Sequence, residues 1–319
     1  MKKIITIAAA AALMTSCLAA CGTKAEDKTE KNKRISVVTT IFPEYDWVRE
    51  IVGDSANADI TLLLDGGVDL HSYNPSAQDI MKISSCDVFV YVGGQSDRWV
   101  DEALKTRVNK DMKVVNLLDV LGDDVKTEEI KEGMKAEEAE PEKDEHIWLS
   151  LKNTKKIVSA IADTLSQVDS ENASIYKRNA ETYRAKLESL NTKYEQAAVD
   201  AKNKVLLFGD RFPFRYMTDD YGLDYYAAFP GCEAETEASF ETIVFLSNKV
   251  NELGLDSIMA IEGSDHSIAE TIKNNTATKD QEIVEMDSMQ SVKSADINNG
   301  VTYLSIMEKN LDALKRALK

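Results

Sequence analysis

Residues 171–201 read ENASIYKRNAETYRAKLESLNTKYEQAAVDA. Within them Tyr176, Ala180, Tyr183, Leu187, Leu190, Tyr194 and Ala197 recur at alternating steps of four and three, which draws one apolar seam along a single helix. At 1.5 Å per residue a helix of this length extends roughly 45 Å, enough to run the length of a two-lobed molecule. An aromatic stripe at this spacing reads as core packing and not as a platform for a ligand.

On either side of the seam the pattern changes to short β-branched runs separated by helical stretches. Upstream the runs are Ile35 to Thr40, Ile60 to Leu64, Val88 to Val92 and Val114 to Leu117, with helical spacing from Tyr45 to Val52, Ser76 to Ile83 and Asn153 to Leu165. Downstream they are Val205 to Phe208, Tyr225 to Phe229, Ile258 to Ile261 and Glu282 to Met286, with helices predicted over Phe240 to Leu253, Ile268 to Asn274 and Val301 to Leu318. Strands alternating with helices predict parallel sheets. The fold class is therefore α/β: two lobes with parallel sheets flanked by helices, bridged by one long rigid helix. The N-terminal lobe is predicted over 35–168, the bridging helix over 169–202 and the C-terminal lobe over 203–319.

The first 20 residues have the layout of a secretory leader: Lys2-Lys3, an apolar stretch from Ile4 to Met14, then Leu18-Ala19-Ala20 before Cys21. That ending resembles the lipobox of bacterial lipoproteins, which implies lipid attachment at Cys21 and a place at the outer face of a cell membrane. Residues 21–34 are polar and without aromatics, as a flexible tether would be. The leader's apolar run is too short to span a bilayer comfortably, and no second long apolar run follows. The formal net charge of −17 argues against nucleic acid as a partner, because phosphate binding needs clustered Lys and Arg. Beyond the leader only Cys86 and Cys232 remain, one in each half, and they read as two separate, mostly buried thiols. Residues 122–145 are dominated by Glu and Asp and are expected to form a mobile loop, either a solvated insertion or a cation-collecting arm.

Only three histidines occur. His71 lies just past the second predicted strand and His146 past the fourth, after the acidic run. In the other half Asp210 is expected at the carboxyl end of the first strand and Asp287 at that of the last. Open parallel sheets bind ligands beyond the carboxyl ends of their strands. Imidazole with carboxylate is the donor set of a divalent transition metal. Four such residues, two from each lobe, are expected to converge on the cleft, with Glu237, Glu262 and His266 as further candidates.

Several segments, taken in order, make the chain resemble the zinc- and manganese-binding lipoproteins of metal ABC importers (the ZnuA/TroA-like family). They are Val37 to Pro43, the Gly-Val-Asp-Leu-His-Ser-Tyr-Asn-Pro-Ser stretch of 67–76, Tyr91 to Gly94 followed by Trp99, and Asp144 to Trp148. Tyr221 to Leu223, Glu237 to Ser239 and Met286 to Ser288 complete the set. The resemblance implies two α/β lobes bridged by a long helix, and metal-site roles for the positions matching His71, His146 and Asp287. At the family's third ligand, usually His or Glu, this chain has Arg211, counted back from Tyr216 and Tyr221. A guanidinium has no acceptor and cannot ligate a cation, so Asp210, one residue earlier, is the expected substitute. The acidic run stands where zinc-type members carry a charged, often His-rich insertion, but here it holds no histidine before His146.

The expected function is capture of one divalent ion between the lobes by a monomer anchored through Cys21, and its delivery to a membrane permease. A site of two His and two Asp leans towards manganese, whereas the Irving–Williams order favours zinc; zinc stands first and manganese close behind. Other classes are a zinc hydrolase, for which no His-Glu-x-x-His motif is present, and a surface adhesin or organic-solute receptor on the same scaffold. The chain is not expected to be an enzyme.

Overall fold

Strand β1 (Ile35–Thr39) is buried along nearly its whole length because it runs down the middle of a parallel sheet. In the computed structural model, which describes residues 34–55, 58–134, 142–232 and 237–319, β1 pairs on one side with β2 (Ala58–Leu62) and on the other with β3 (Val88–Tyr91). Val37 lies opposite both Ile60 and Val88. Strand β4 (Lys113–Asn116) extends the sheet beyond β3, giving the order β2-β1-β3-β4. Helices α1 (Phe42–Val52), α2 (Ala77–Ser85) and α3 (Val100–Lys105) make the crossovers, and α4 (Leu117–Leu121) follows the last strand. The leader, Cys21 and the tether up to residue 33 lie outside the described residues.

After α5 (Leu151–Val168) comes α6 (Ala173–Asp200), 28 residues and roughly 42 Å long at the standard rise. All seven residues of the predicted seam are buried in it. The seam packs on α5 and α1, and on α11 (Tyr303–Ala317) from the other half. Tyr194 donates its hydroxyl to the Met307 carbonyl at 2.6 Å and Tyr176 donates to Asp169 at 2.7 Å, so the first and last tyrosines of the stripe find polar partners inside the core.

The second half repeats the first. Strands β5 (Val205–Phe212), β6 (Asp224–Pro230), β7 (Ser257–Ile261) and β8 (Glu282–Met286) form a parallel sheet in the order β6-β5-β7-β8. Helices α7 (Arg215–Tyr221), α8 (Phe240–Leu253), α9 (Ser267–Asn275) and α10 (Ser294–Asn298) accompany it. In both sheets the chain steps outward from the first strand and then returns to its other side. This strand-order reversal opens a crevice at the carboxyl ends, where such folds take ligands.

Strand β5 departs from expectation. It does not end at Phe208 but continues through a register shift, so that Arg211 and Phe212 pair with Phe229 and Pro230. Asp210 therefore sits inside the strand at an irregularity, not at its end. Gly209 marks the place: a Cβ there would lie 2.5 Å from the Ala269 Cα, so only glycine lets α9 rest against β5.

One continuous apolar core runs through both halves, from Val37 through Trp148 and the α6 seam to Met286. A smaller one, with Leu207, Leu246, Ile258 and Ile272, fills the space between the second sheet and α8 and α9. The Trp148 indole donates to the Ser288 carbonyl at 2.8 Å, and the Tyr303 hydroxyl to the Trp148 carbonyl at 2.6 Å. The segment carrying His146 is thereby stitched to the far sheet. No helix among the described residues is long and apolar enough to cross a membrane.

The acidic run is structured at its ends. Glu128 donates its amide to the Glu142 carbonyl at 2.7 Å and Asp144 to the Lys126 carbonyl at 2.9 Å, so the two arms pair antiparallel. Lys126 and Asp144 both bond the Tyr216 hydroxyl, which lays the arms on the second half; residues 135–141 lie outside the description. The charge of the run hides this pairing from composition, because the bonds are made by backbone groups.

Candidate metal centre

His71 is placed by a short 3-10 turn, Leu70–Ser72, that begins where Asp69 accepts the His71 amide at 2.9 Å and buried Leu70 anchors the turn. Its Nδ1 faces the Ser96 hydroxyl at 2.8 Å, with Glu145 Oε2 behind at 3.7 Å. Ser96 in turn gives its amide to Glu145 Oε1 at 2.9 Å. The other Glu145 oxygen is buried and has no hydrogen-bond partner.

His146 is fully buried and starts the turn Ile147–Leu149, which leads into Ser150, the cap of α5. Asp144 Oδ1 takes both its backbone amide, at 2.9 Å, and its Nδ1, at 3.0 Å. A carboxylate oxygen only accepts, so Nδ1 of His146 bears a proton, and Nε2 has a lone pair to offer whenever the ring is neutral. That Nε2 lies 3.2 Å from Nε2 of His71.

The two imidazoles titrate in opposite directions. Burial pulls His71 down to about 3, helped by the charge of His146. Burial also disfavours charge on His146, but the Asp144 hydrogen bond and charge, with Glu128 and Glu145, outweigh it and raise the ring above its ordinary value. A carboxylate behind an imidazole in this manner fixes the tautomer and strengthens the ring as a metal donor.

A third donor comes from beyond β6. The Cys232 Sγ and one nitrogen from each of the two rings all lie within 4.8 Å of one another, the sole such group of His, Cys, Asp and Glu among the described residues. The Cys232 amide is held by Glu128 Oε1 at 2.8 Å. Burial pushes the thiol well above its usual range, and the charges of Glu128, Asp144 and Glu145 add to this. The preceding residue has to be glycine: a Cβ on Gly231 would stand 2.8 Å from the Phe212 carbonyl and 3.0 Å from His146 Cε1.

The sequence reading brought His71 and His146 forward, and the fold sets them side by side; it passed over Cys232 as a packing thiol. The cysteines are indeed unpaired, but only Cys86 is buried in an apolar core. Asp144, Glu145, Ser96 and Glu128, which hold the donors in place, were also missed.

The second half's candidates lie outside this three-donor group and make contacts of their own. Asp210 accepts the amide of Arg211 at 2.9 Å and that of Ile261 at 3.3 Å, one on each carboxylate oxygen. Asp287 accepts the Met289 amide at 2.7 Å, and burial pushes its carboxyl upward. Glu262 collects the amide and hydroxyl of Ser288, both at 2.7 Å, and burial with the charge of Asp287 lifts it to about 7. His266 reaches Glu285 at 3.3 Å. Asp210, Glu237, Glu262 and His266 line a neighbouring cavity of about 670 Å³. Arg211, at the expected third-ligand position, pairs with Asp69 at 2.9 Å and so ties the second half to the turn bearing His71.

The family model described as "Zinc-uptake complex component A periplasmic" (ZnuA) matches residues 37–317. The zinc-binding lipoprotein AdcA of Streptococcus pneumoniae (strain ATCC BAA-255 / R6) is 31% identical over 318 residues, 99% of this chain and 61% of the relative. The chain thus spans less than two thirds of that protein's length. The high-affinity zinc uptake system protein ZnuA of Bacillus subtilis (strain 168) is 28% identical over 312 residues, 94% of this chain and 93% of the relative. Among solved structures, the Zn(II)-bound ZnuA-like domain of S. pneumoniae AdcA superposes with a TM-score of 0.71 at 29% identity, covering 89% of this chain and 99% of that one. The metal-dependent lipoprotein YcdH of B. subtilis gives 0.74 at 27% identity, covering 89% and 100%.

Proposed function

This chain belongs to the family of periplasmic zinc-uptake components A, and from that premise we propose that it captures one zinc ion at the His71–His146 pair and delivers it to the permease of an ABC importer. The observation that carries the reading is the facing of two imidazole Nε2 atoms at 3.2 Å, with Asp144 behind one ring and Ser96 and Glu145 behind the other. The Asp144 bond leaves Nε2 of a neutral His146 ring as its donor atom, and that nitrogen faces Nε2 of His71, so a cation between the rings would take a lone pair from each. Manganese is the second cargo we consider; Zn²⁺ outcompetes it at a site of this kind by the Irving–Williams order.

Asp287 is the acid we assign to a remaining coordination position, on its match to the family's carboxylate, although it stands outside the 4.8 Å group. Cys21 is the residue we assign to the lipid anchor, which would hold the protein as a monomer beside its permease on the outer face of the membrane. Capture and delivery require no bond to be made or broken in a substrate, and we read the chain as a carrier and not as an enzyme.

Metal analysis of the purified protein tests the reading. One zinc per chain is expected, retained against a large excess of Mn²⁺; a protein that takes up no divalent ion in equilibrium dialysis would sink it. The supporting carboxylate gives a finer check. Asp144→Ala leaves both imidazoles present but frees the orientation of His146, and is expected to weaken zinc binding by about 10- to 100-fold. Calorimetric titration reads this directly, and an unchanged affinity would remove Asp144 from the site's support.

A further inference from the structure

We propose that the thiolate of Cys232 is the ligand through which the second half of the molecule grips the ion. It takes over the task of the third ligand at whose position this chain has Arg211. The proposal rests on the zinc-capture reading above and adds a donor to it.

Geometry is the first argument. Tetrahedral zinc with Zn–N of about 2.05 Å and Zn–S of about 2.3 Å sets its nitrogens about 3.3 Å apart and each nitrogen about 3.6 Å from the sulfur. The two Nε2 atoms already stand 3.2 Å apart, and the sulfur lies within 4.8 Å of one nitrogen of each ring. An adjustment of about 1 Å at one side chain completes three corners of the tetrahedron.

The chain path is the second. Cys232 follows Gly231, whose missing side chain lets the turn press against His146 and the Phe212 carbonyl. Its amide is fastened to Glu128, on the arm that pairs with the one leading to Asp144 and His146. The thiol is therefore held at the histidines by contacts on both sides. The third argument is by exclusion: Arg211 is bound to Asp69, and both oxygens of Asp210 hold backbone amides.

On binding, the S–H bond breaks, its proton passes to solvent, and the sulfur gives an electron pair to the ion. The carboxylates of Glu128, Asp144 and Glu145 that surround the group offset the cation's charge. A soft sulfur beside two imidazoles also moves the donor set away from manganese and towards zinc.

The test uses the full mature chain and Co²⁺ as a spectroscopic stand-in for zinc. The parent and Cys86→Ser are expected to develop a near-ultraviolet sulfur-to-cobalt charge-transfer band together with visible d–d absorption. Cys232→Ser should lose the first, and its zinc affinity should fall by at least about 100-fold. Zinc should also protect Cys232 of the unmutated protein from iodoacetamide, a readout that does not depend on the variant folding. A parent that binds cobalt without the charge-transfer band, or a Cys232 alkylated equally fast with and without zinc, overturns the thiolate ligand while leaving zinc capture standing. A parent that binds neither metal overturns both.

Discussion

His146→Ala should all but abolish zinc capture, weakening it by well over the roughly 100-fold that marks the loss of a supporting carboxylate. The reason is positional. His146 is fully buried, its ring is aimed by Asp144, and its Nε2 faces that of His71 at 3.2 Å, so no solvent-exposed donor can slide into its place. His71→Ala should behave alike, since its ring is the other half of the pair. The loss of the His146 ring beside Trp148, or of the His71 ring beside His146, also opens a cavity, so thermal unfolding of both variants must be followed alongside the titration. His266→Ala is the control: that ring reaches Glu285 at 3.3 Å, stands outside the three-donor group and should leave affinity unchanged. In the second half, Asp287→Ala should weaken binding by removing an acid and its charge. Asp210→Ala should act mainly on stability, because both of its oxygens hold backbone amides. A His71 or His146 alanine variant that binds zinc like the parent would refute the pair as the core of the site.

The parts of this molecule written in local pattern were readable in the sequence. The α6 seam repeats for six steps, and each strand of both sheets is a β-branched or aromatic run between turn residues. Helices α3, α4, α7 and α10 were not, because five to seven residues make too few turns for a period to show. The extension of β5 was concealed by Gly209 and Asp210, two residue types depleted in strands, which here mark the register shift. The histidines were legible because loops just past parallel strands are where ligands bind. Cys232 carried no such mark. Its meaning depends on a turn after β6 being laid against Glu128 and His146, contacts about a hundred residues away in sequence that no periodicity encodes. One signal was available: a glycine and a cysteine directly after a strand that ends in Phe229-Pro230, at the sheet end where ligands are expected. Asp144 and Glu145 were hidden in another way, as two more acids at the end of an acidic run.

Burial of ionisable groups predicts a pH dependence of stability whose sign follows, group by group, from the direction of each shift. Asp46 is 2% exposed on α1 and accepts the backbone amide of Tyr303 at 2.9 Å, where α11 begins. Burial raises its carboxyl from 3.8 to about 6, against the pull of that amide. A carboxyl with a higher pKa folded than unfolded binds more protons in the native state. Its contribution is fully present below about pH 3.8 and is lost as pH rises through about 6. The rise corresponds to at most about 3 kcal/mol. Asp97 and Glu262, both lifted to about 7 chiefly by burial, push the same way at higher pH. His71 opposes them: its depressed value makes the native state bind fewer protons, so its contribution grows with pH between about 3 and its ordinary 6.5. The total slope is thus a contest, and a single substitution isolates one side of it. Asp46→Asn keeps an oxygen to accept the Tyr303 amide but cannot ionise. Relative to the parent it should gain up to about 3 kcal/mol by pH 7.5 and little at pH 4. Urea unfolding of the two proteins at both pH values reads the difference. A gap that stays constant from pH 4 to 7.5 would show that Asp46 does not carry this linkage.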